Sequence, residues 1–240
     1  DADARQGLAG VTVHLAERGR RVTVEATHER VRNPPYAVTV SYAVTAPAAT
    51  SVTIQSLTGH VEASGITGEL SVDTTTGDVE IRDAPRLSRA RTVTGSIDLT
   101  NVAHDSALEA GTIAGPVTAT GIRTRRLRLD TVTGGITARD ATADRVEIFT
   151  TQGSLTYDGA VAADGRYEMR THSGSIRFIA RSGSGFELRA QTFSGQIETA
   201  RELGLTLVSR SRRELVGSVG DGRAVVLLTT FSGQVSVGRQ

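Results

Sequence analysis

"TVTGSIDLTNV" (residues 92–102), "TVTGGITARDA" (131–141), "TFSGQIETARE" (192–202) and "TFSGQVSVGRQ" (230–240) repeat one phrase, T-x-[TS]-G-x-[ILV]. Aligned on its glycine, the phrase recurs at Gly59, Gly77, Gly95, Gly115, Gly134, Gly153, Gly174, Gly195 and Gly233, with gaps of 18, 18, 20, 19, 19, 21, 21 and 38 residues. The last gap spans two periods, which predicts one decayed copy around Arg210 to Leu215. Gly68 reads as an extra copy midway between Gly59 and Gly77, predicting two strand–turn units per repeat.

Working outward from the glycine, the alternation is strict. Two residues after it stand Val61, Val79, Ile97, Val117, Ile136, Leu155, Ile176, Ile197 and Val235. Five before it stand Val72, Ala90, Ala110, Leu129, Ile148, Met169, Ala190 and Leu228. Seven before it stand Leu70, Ser88, Leu108, Leu127, Val146, Tyr167, Leu188 and Val226. A period of two means strands with one buried face. No stretch sustains a 3.6-residue apolar stripe, so almost no helix is expected. A unit this short cannot bury its own apolar face, but stacked copies can. The expectation is an all-β chain: a parallel β-helix, or β-solenoid, of about ten coils of 18–21 residues each. Flattened two-sheet and triangular cross-sections both remain open.

The phrase's first threonine recurs three before the glycine at Thr74, Thr92, Thr112, Thr131, Thr150, Thr171, Thr192 and Thr230. Stacking predicts a structural column, hydrogen-bonded along its length. An ice-binding T-x-T plane fits poorly, because His60, Asp78, Pro116 and Gln196 beside it are irregular and partly charged.

Residues 1–50 read differently. "VTVHLAERGRRVTVEA" predicts strands over 11–15 and 21–26, joined by a turn at Arg18–Gly19. "RNPPY" breaks the chain, and "AVTVSYAVTAP" predicts a further strand ending at Pro47. The expected organisation is an N-terminal β cap over 1–50 and a continuous solenoid over 51–240. The cap would cover strand edges and core at the first coil.

"YAVTVSYAVTAPAATSVTIQSLTGHVEASGITGELSVDTTTGDVEI" (residues 36–81) resembles the bacterial adhesin-like, DUF4097-type β-strand repeat family. The shared pattern is an extended strand closed by proline, then repeated strand–T-x-[SN]-G units. The resemblance covers about residues 20 to 240. It implies a right-handed parallel β-helix in exported, lipid-anchored or membrane-tethered proteins, and no catalytic residues. "LVSRSRRELVGSVGDG" (207–222) departs from the pattern.

Composition narrows the chemistry. Formal net charge is +1, so no overall attraction to nucleic acid or anionic lipid is expected. There is no cysteine, and all 27 basic residues are arginine, which excludes thiolate sites, Schiff-base lysines and P-loop lysines. No apolar run reaches the roughly 18 residues of a membrane span. The chain begins at Asp1 without methionine, which suggests a signal or anchor upstream and an exported protein. His14, His28, His60, His104 and His172 lack metal-ligand spacing. No G-x-S-x-G, H-E-x-x-H or phosphate loop is present.

Outward columns are the remaining candidates. Six before the glycine run Arg89, Glu109, Arg128, Glu147, Glu168 and Arg189, an expected register-setting ion-pair network. Beside it, Arg123, Arg125, Arg126, Arg128, Arg145 and Arg166 form a candidate anion-binding strip for acidic polysaccharide or phosphate. Glu62, Glu80 and Asp98 should stack on consecutive coils. Like charges in register call for a cation, an arginine such as Arg82, or splayed side chains. They are candidate calcium ligands; no other cofactor is expected. They are also the candidate carboxylates of an alternative function, a polysaccharide lyase or glycosidase. With no Trp, and with Tyr157, Tyr167 and Phe178 at inward positions, a sugar-stacking platform is weak; Phe193 and Phe231 fall at corners and could belong to the core. The expected function is a non-enzymatic envelope scaffold or interaction surface. Its partners would be an envelope protein or an anionic polysaccharide.

Overall fold

A computed structural model of the chain describes residues 11–18, 21–28, 41–183 and 185–239. It divides into two compact units, Asp1–Ala46 and Pro47–Gln240.

In the first unit, strands Val11–Arg18 and Arg21–His28 pair antiparallel, with Leu15 opposite Val24 and Val13 opposite Ala26. Both strands run further than alternation alone suggested. The expected turn residue Gly19 lies outside the described residues. One face of this hairpin carries Val13, Leu15, Val22 and Val24, all exposed. The strand expected to end at Pro47 is not formed over residues 41–47, and 37–40 lie outside the described residues.

The second unit is the solenoid. Each coil places one strand before its glycine and one after it, in two parallel sheets that meet at the glycine corner. We name each rung by that glycine. Strand Ile136–Gln152 runs through a whole coil, and its buried apolar positions fall in three inward pairs: Ile136 and Ala138, Ala141 and Ala143, Val146 and Ile148. Outward doublets Arg139–Asp140 and Asp144–Arg145 separate them. This coil is therefore three-sided, which decides between the two cross-sections left open by the sequence.

The predicted inward columns are buried with one exception. Ser88 is exposed, because a register shift between Leu70 and Ser71 pairs Leu70 with Leu87 and Ser71 with Arg89. One bulged residue moves the side chain to the other face, and Leu87 fills the core instead. Later rungs replace aliphatics with rings: Tyr157 stacks on Phe178 at 5.2 Å, and Tyr167 and Phe186 meet Phe178 edge-on. Burial drives both phenols upward in pKa, Tyr157 strongly. Their hydroxyls donate to backbone carbonyls, Tyr157 to Ala160 at 2.9 Å and Tyr167 to Ala143 at 2.9 Å.

The rungs do not stack in chain order. From Gly59 to Gly174 each rung lies on its predecessor. Strand Arg166–Ser173 then pairs with Ala224–Ser232, and Ala224–Ser232 pairs with Phe186–Ser194. The second sheet agrees: Ile176 faces Val235, and Val235 faces Ile197. The C-terminal rung, Gly233, is thus inserted between the Gly174 and Gly195 rungs. The stretch read as a decayed coil is instead a hairpin, Leu205–Arg210 with Glu214–Val219, and Glu214–Val219 runs antiparallel along Phe186–Ser194. A short 3₁₀ turn, Arg201–Leu203, buries Leu203 nearby. These elements close this end of the stack, which has nine glycine rungs among the described residues rather than about ten coils. At the other end, Val52–Thr58 pairs only with Leu70–Thr76 among the described residues, and Val52 and Ile54 are half-buried.

Candidate functional site

The glycine corner explains the phrase. Gly153 has φ +154°, and a Cβ there would sit 1.9 Å from the carbonyl oxygen of Gly134. The same approach recurs from Gly77 through Gly233 to Gly195, so the column needs glycine for space as well as for backbone angle. The buried threonines do not bond to one another as expected. Seven of the eight hydroxyls instead donate to the glycine carbonyl of the neighbouring rung, among them Thr131 to Gly115, Thr150 to Gly134 and Thr171 to Gly153, all at 3.1 Å. The order again follows space, with Thr230 on Gly174 and Thr192 on Gly233. Thr74, at the first such step, has no partner for its buried hydroxyl among the described residues. Being buried, this column presents no threonine plane to ice or any other ligand.

A second corner was missed by sequence reading. Gly65, Asp83, Asn101, Gly121 and Asp140, each six after a rung glycine, all adopt φ between 51° and 69°. The signal was present, since Gly, Asn and Asp are the residues that tolerate the left-handed region. Gly68 does not belong to either column: a Cβ there would meet the Thr50 carbonyl at 2.3 Å, so it marks a close crossing of backbone and no half-repeat.

Between the two threonine or serine positions of the phrase, one side chain per rung points outward. Leu57, Val93, Ile113, Val132, Phe231 and Phe193 are exposed there, an apolar ridge along the corner that Thr75, Thr151 and His172 interrupt. Phe193 and Phe231 therefore lie outside the core. His172 stacks on Phe231 at 4.8 Å, Phe231 on Phe193 at 4.7 Å, and Arg213 lies over Phe193 at 5.0 Å. Both faces of Phe231 and of Phe193 are covered within this stack, so neither ring offers a free face to a pyranose. A shallow groove beside the stack is lined by Phe149, Arg170 and Gln191.

The charged columns are as close as the register predicted. Arg89, Glu109, Arg128 and Glu147 occupy consecutive rungs. Glu109 accepts from Arg91 at 2.7 Å and lies 3.5 Å from Arg89, and Glu147 accepts from Arg126 at 3.0 Å. The column breaks where the inserted rung enters: Glu168 faces Leu227, and Leu227 faces Arg189, so these two charges are not neighbours as expected. Of the candidate strip, Arg126, Arg145 and Arg166 stack on three consecutive rungs. Arg125 sits at a register shift beside Arg126, and Arg123 lies on the third side, opposite Ala103 and Thr142. Arg126, Arg128 and Arg166 each face a carboxylate within 4 Å. Among the described residues none lies that close to Arg123, Arg125 or Arg145.

Glu62, Glu80 and Asp98 do stack on consecutive rungs. Arg82 reaches both glutamates, 3.6 Å from Glu62 and in contact with Glu80, and so acts as the neutraliser the like charges require. Two positions before them in each strand's approach, Asp78 accepts the Ser96 backbone N–H at 2.7 Å and the Ser96 hydroxyl at 2.9 Å. These bonds, the backbone one foremost, hold its carboxyl below the ordinary 3.8, with His60 adding to the effect. Among the described residues no three His, Asp or Glu side chains converge as a metal cage.

The family comparison covers residues 39–238 and matches the Toastrack DUF4097 family. The chain belongs to that family. It is a DUF4097 β-solenoid, as the repeated strand–T-x-[TS]-G units implied, and the function of this domain is unknown. No curated protein and no solved structure matches the chain. Among the described residues, no helix of this DUF4097 chain is long and apolar enough to cross a membrane.

Proposed function

We propose that this Toastrack protein is a non-enzymatic interaction scaffold, exported to the cell envelope, that meets anionic polymers or envelope proteins with the flat walls of its solenoid. The observation that carries this reading is the Arg126–Arg145–Arg166 column. Like charges on adjacent strands destabilise a sheet unless something offsets them. Arg126 and Arg166 have carboxylates; Arg145, between them, has none among the described residues. A guanidinium left open beside two others suits bidentate contact with carboxylate or phosphate groups. Repeats at strand spacing suit a repetitive partner. The stacked carboxylates favour binding over turnover, since Glu62 and Glu80 lie on an open wall and share Arg82. Electrostatic catalysis exploits a water-excluding site.

The test pairs binding with turnover. The protein is titrated with polygalacturonate and with neutral dextran at low and high salt, and new reducing ends and unsaturated products are measured in parallel. Salt-sensitive binding to polygalacturonate that drops when Arg126, Arg145 and Arg166 become Gln, with an unchanged circular dichroism spectrum, is expected. Turnover that disappears in Glu80→Gln would establish the enzyme reading instead.

A further inference from the structure

The inserted rung has a consequence for how copies of this chain meet. Neighbouring rungs in the body join partners close in sequence: Thr150 and Thr171 are 21 residues apart. The inserted rung joins Thr230 to Thr171, 59 residues away, and to Thr192, 38 away. Before residues 224–239 arrive, the Gly174 and Gly195 rungs have no contact through paired strands. Each presents an open edge in both sheets, one from Arg166–Ser173 and Ile176–Gly183, the other from Phe186–Ser194 and Ile197–Thr199. Everything the last rung pairs with precedes it in the chain. Its contacts are the same whether it comes from its own chain or from another.

The connection suits such an exchange. Residues 220–223 join the hairpin to the last rung, and Gly220 and Gly222 both sit in the left-handed region, φ 61° and 66°. The phrases "TFSGQI" and "TFSGQV" place identical residues at the corner, so register in the slot is fixed by Thr230 on Gly174 and Thr192 on Gly233.

We propose that the slot between the Gly174 and Gly195 rungs is an association site for a second copy of this chain. Residues 224–239 of one molecule fill the slot of its partner, and the exchange is reciprocal. Each contact is replaced one for one, so the cost is confined to association entropy and the rearranged connection, and the dimer grows with concentration. The filled slot buries Val226, Leu228, Val235 and Val237 and is paired on both sides, so the native rung opens slowly. The choice between self and partner is made during folding, when the longest loops close last.

The chain has no cysteine, so placed thiols report cleanly. An Arg170→Cys chain and a Thr229→Cys chain are unfolded together, refolded over a range of concentrations and oxidised. Positions 170 and 229 face each other across the slot. A disulfide-linked dimer joining the two variants, its yield rising with protein concentration during refolding, is expected. A control pair, Thr118→Cys with Thr137→Cys, faces across consecutive body rungs and should stay monomeric. If Arg170→Cys fails to refold, Gln191→Cys replaces it, since Gln191 also faces Thr229. The proposal is overturned if no cross-chain dimer forms while Arg170→Cys/Thr229→Cys closes within single chains, or if the control pair dimerises equally.

Discussion

The body of the solenoid and its C-terminal end use the same phrase to different effect. From Gly59 to Gly174, sequence neighbours are spatial neighbours, and local alternation places the strands apart from the bulge at Ser88. At the end, Gly195 and Gly233 carry almost identical phrases, yet they stack in reverse order, and the intervening residues turn back as an antiparallel hairpin. Periodicity specifies which side chain faces inward and which rung positions align. It does not specify which rung comes next.

The largest effect is expected where both regions depend on the same core. Ile136→Asp in the body and Val235→Asp in the inserted rung each bury a carboxylate at a fully buried position. Each should destabilise by more than about 4 kcal/mol, read as loss of the folded baseline in urea. A solenoid that unravels rung by rung would show Val235→Asp sparing the body; one cooperative transition would show both variants lost together.

The glycine column sharpens the comparison of interior with open end. Gly153→Ala meets the Gly134 carbonyl and an unsuitable φ, for an expected loss of about 3–6 kcal/mol. Gly59→Ala has nothing within 4 Å and should lose only the backbone term, about 1–3 kcal/mol. Equal losses in chemical denaturation would show that stacking clearance is not what the column selects.

Smaller still is the threonine step. Thr150→Val removes a bond to Gly134 and should cost about 1 kcal/mol. Thr74→Val removes a buried hydroxyl that has no partner among the described residues, and should be neutral or stabilising by thermal melt.

The smallest effect is in acid. Asp78 has a folded pKa below its ordinary value, so its contribution is fully present above 3.8 and is lost as pH falls through the lower folded value. Ser96→Ala removes the hydroxyl bond and keeps the backbone one, so it should shrink that component in part: a slight loss of stability above pH 3.8 and none in strong acid. A Ser96→Ala variant with the wild-type acid titration of stability would contradict the assignment.

Much of this was legible in residues 51–240 because alternation is a one-residue signal. Val79, Ile97 and Ile136 declare their face without reference to any other strand. Ser88 did not, because one bulged residue inverts the reading locally and leaves no mark in composition. The left-handed corner at Asp83, Asn101 and Asp140 could have been read from residue type alone. Of the candidate site, the Glu62–Glu80–Asp98 and Arg126–Arg145–Arg166 columns followed from the period. The Glu168–Arg189 pairing failed because Leu227 enters between them, and no local pattern reports an insertion made by a segment 59 residues downstream. The stack of His172, Phe231 and Phe193 was hidden for the same reason.

The order of the last rungs is most directly tested within a single chain. Arg170→Cys is combined with Thr229→Cys in one variant and with Gln191→Cys in another, and each is oxidised at low protein concentration. Inserted order places 229 beside 170 and puts 191 one strand further away, about 10 Å at the usual strand spacing and beyond disulfide reach. Intramolecular closure of the 170–229 variant with an open 170–191 variant is the predicted result. Closure of 170–191 with 170–229 open would mean that the rungs follow chain order, and would contradict the inserted coil.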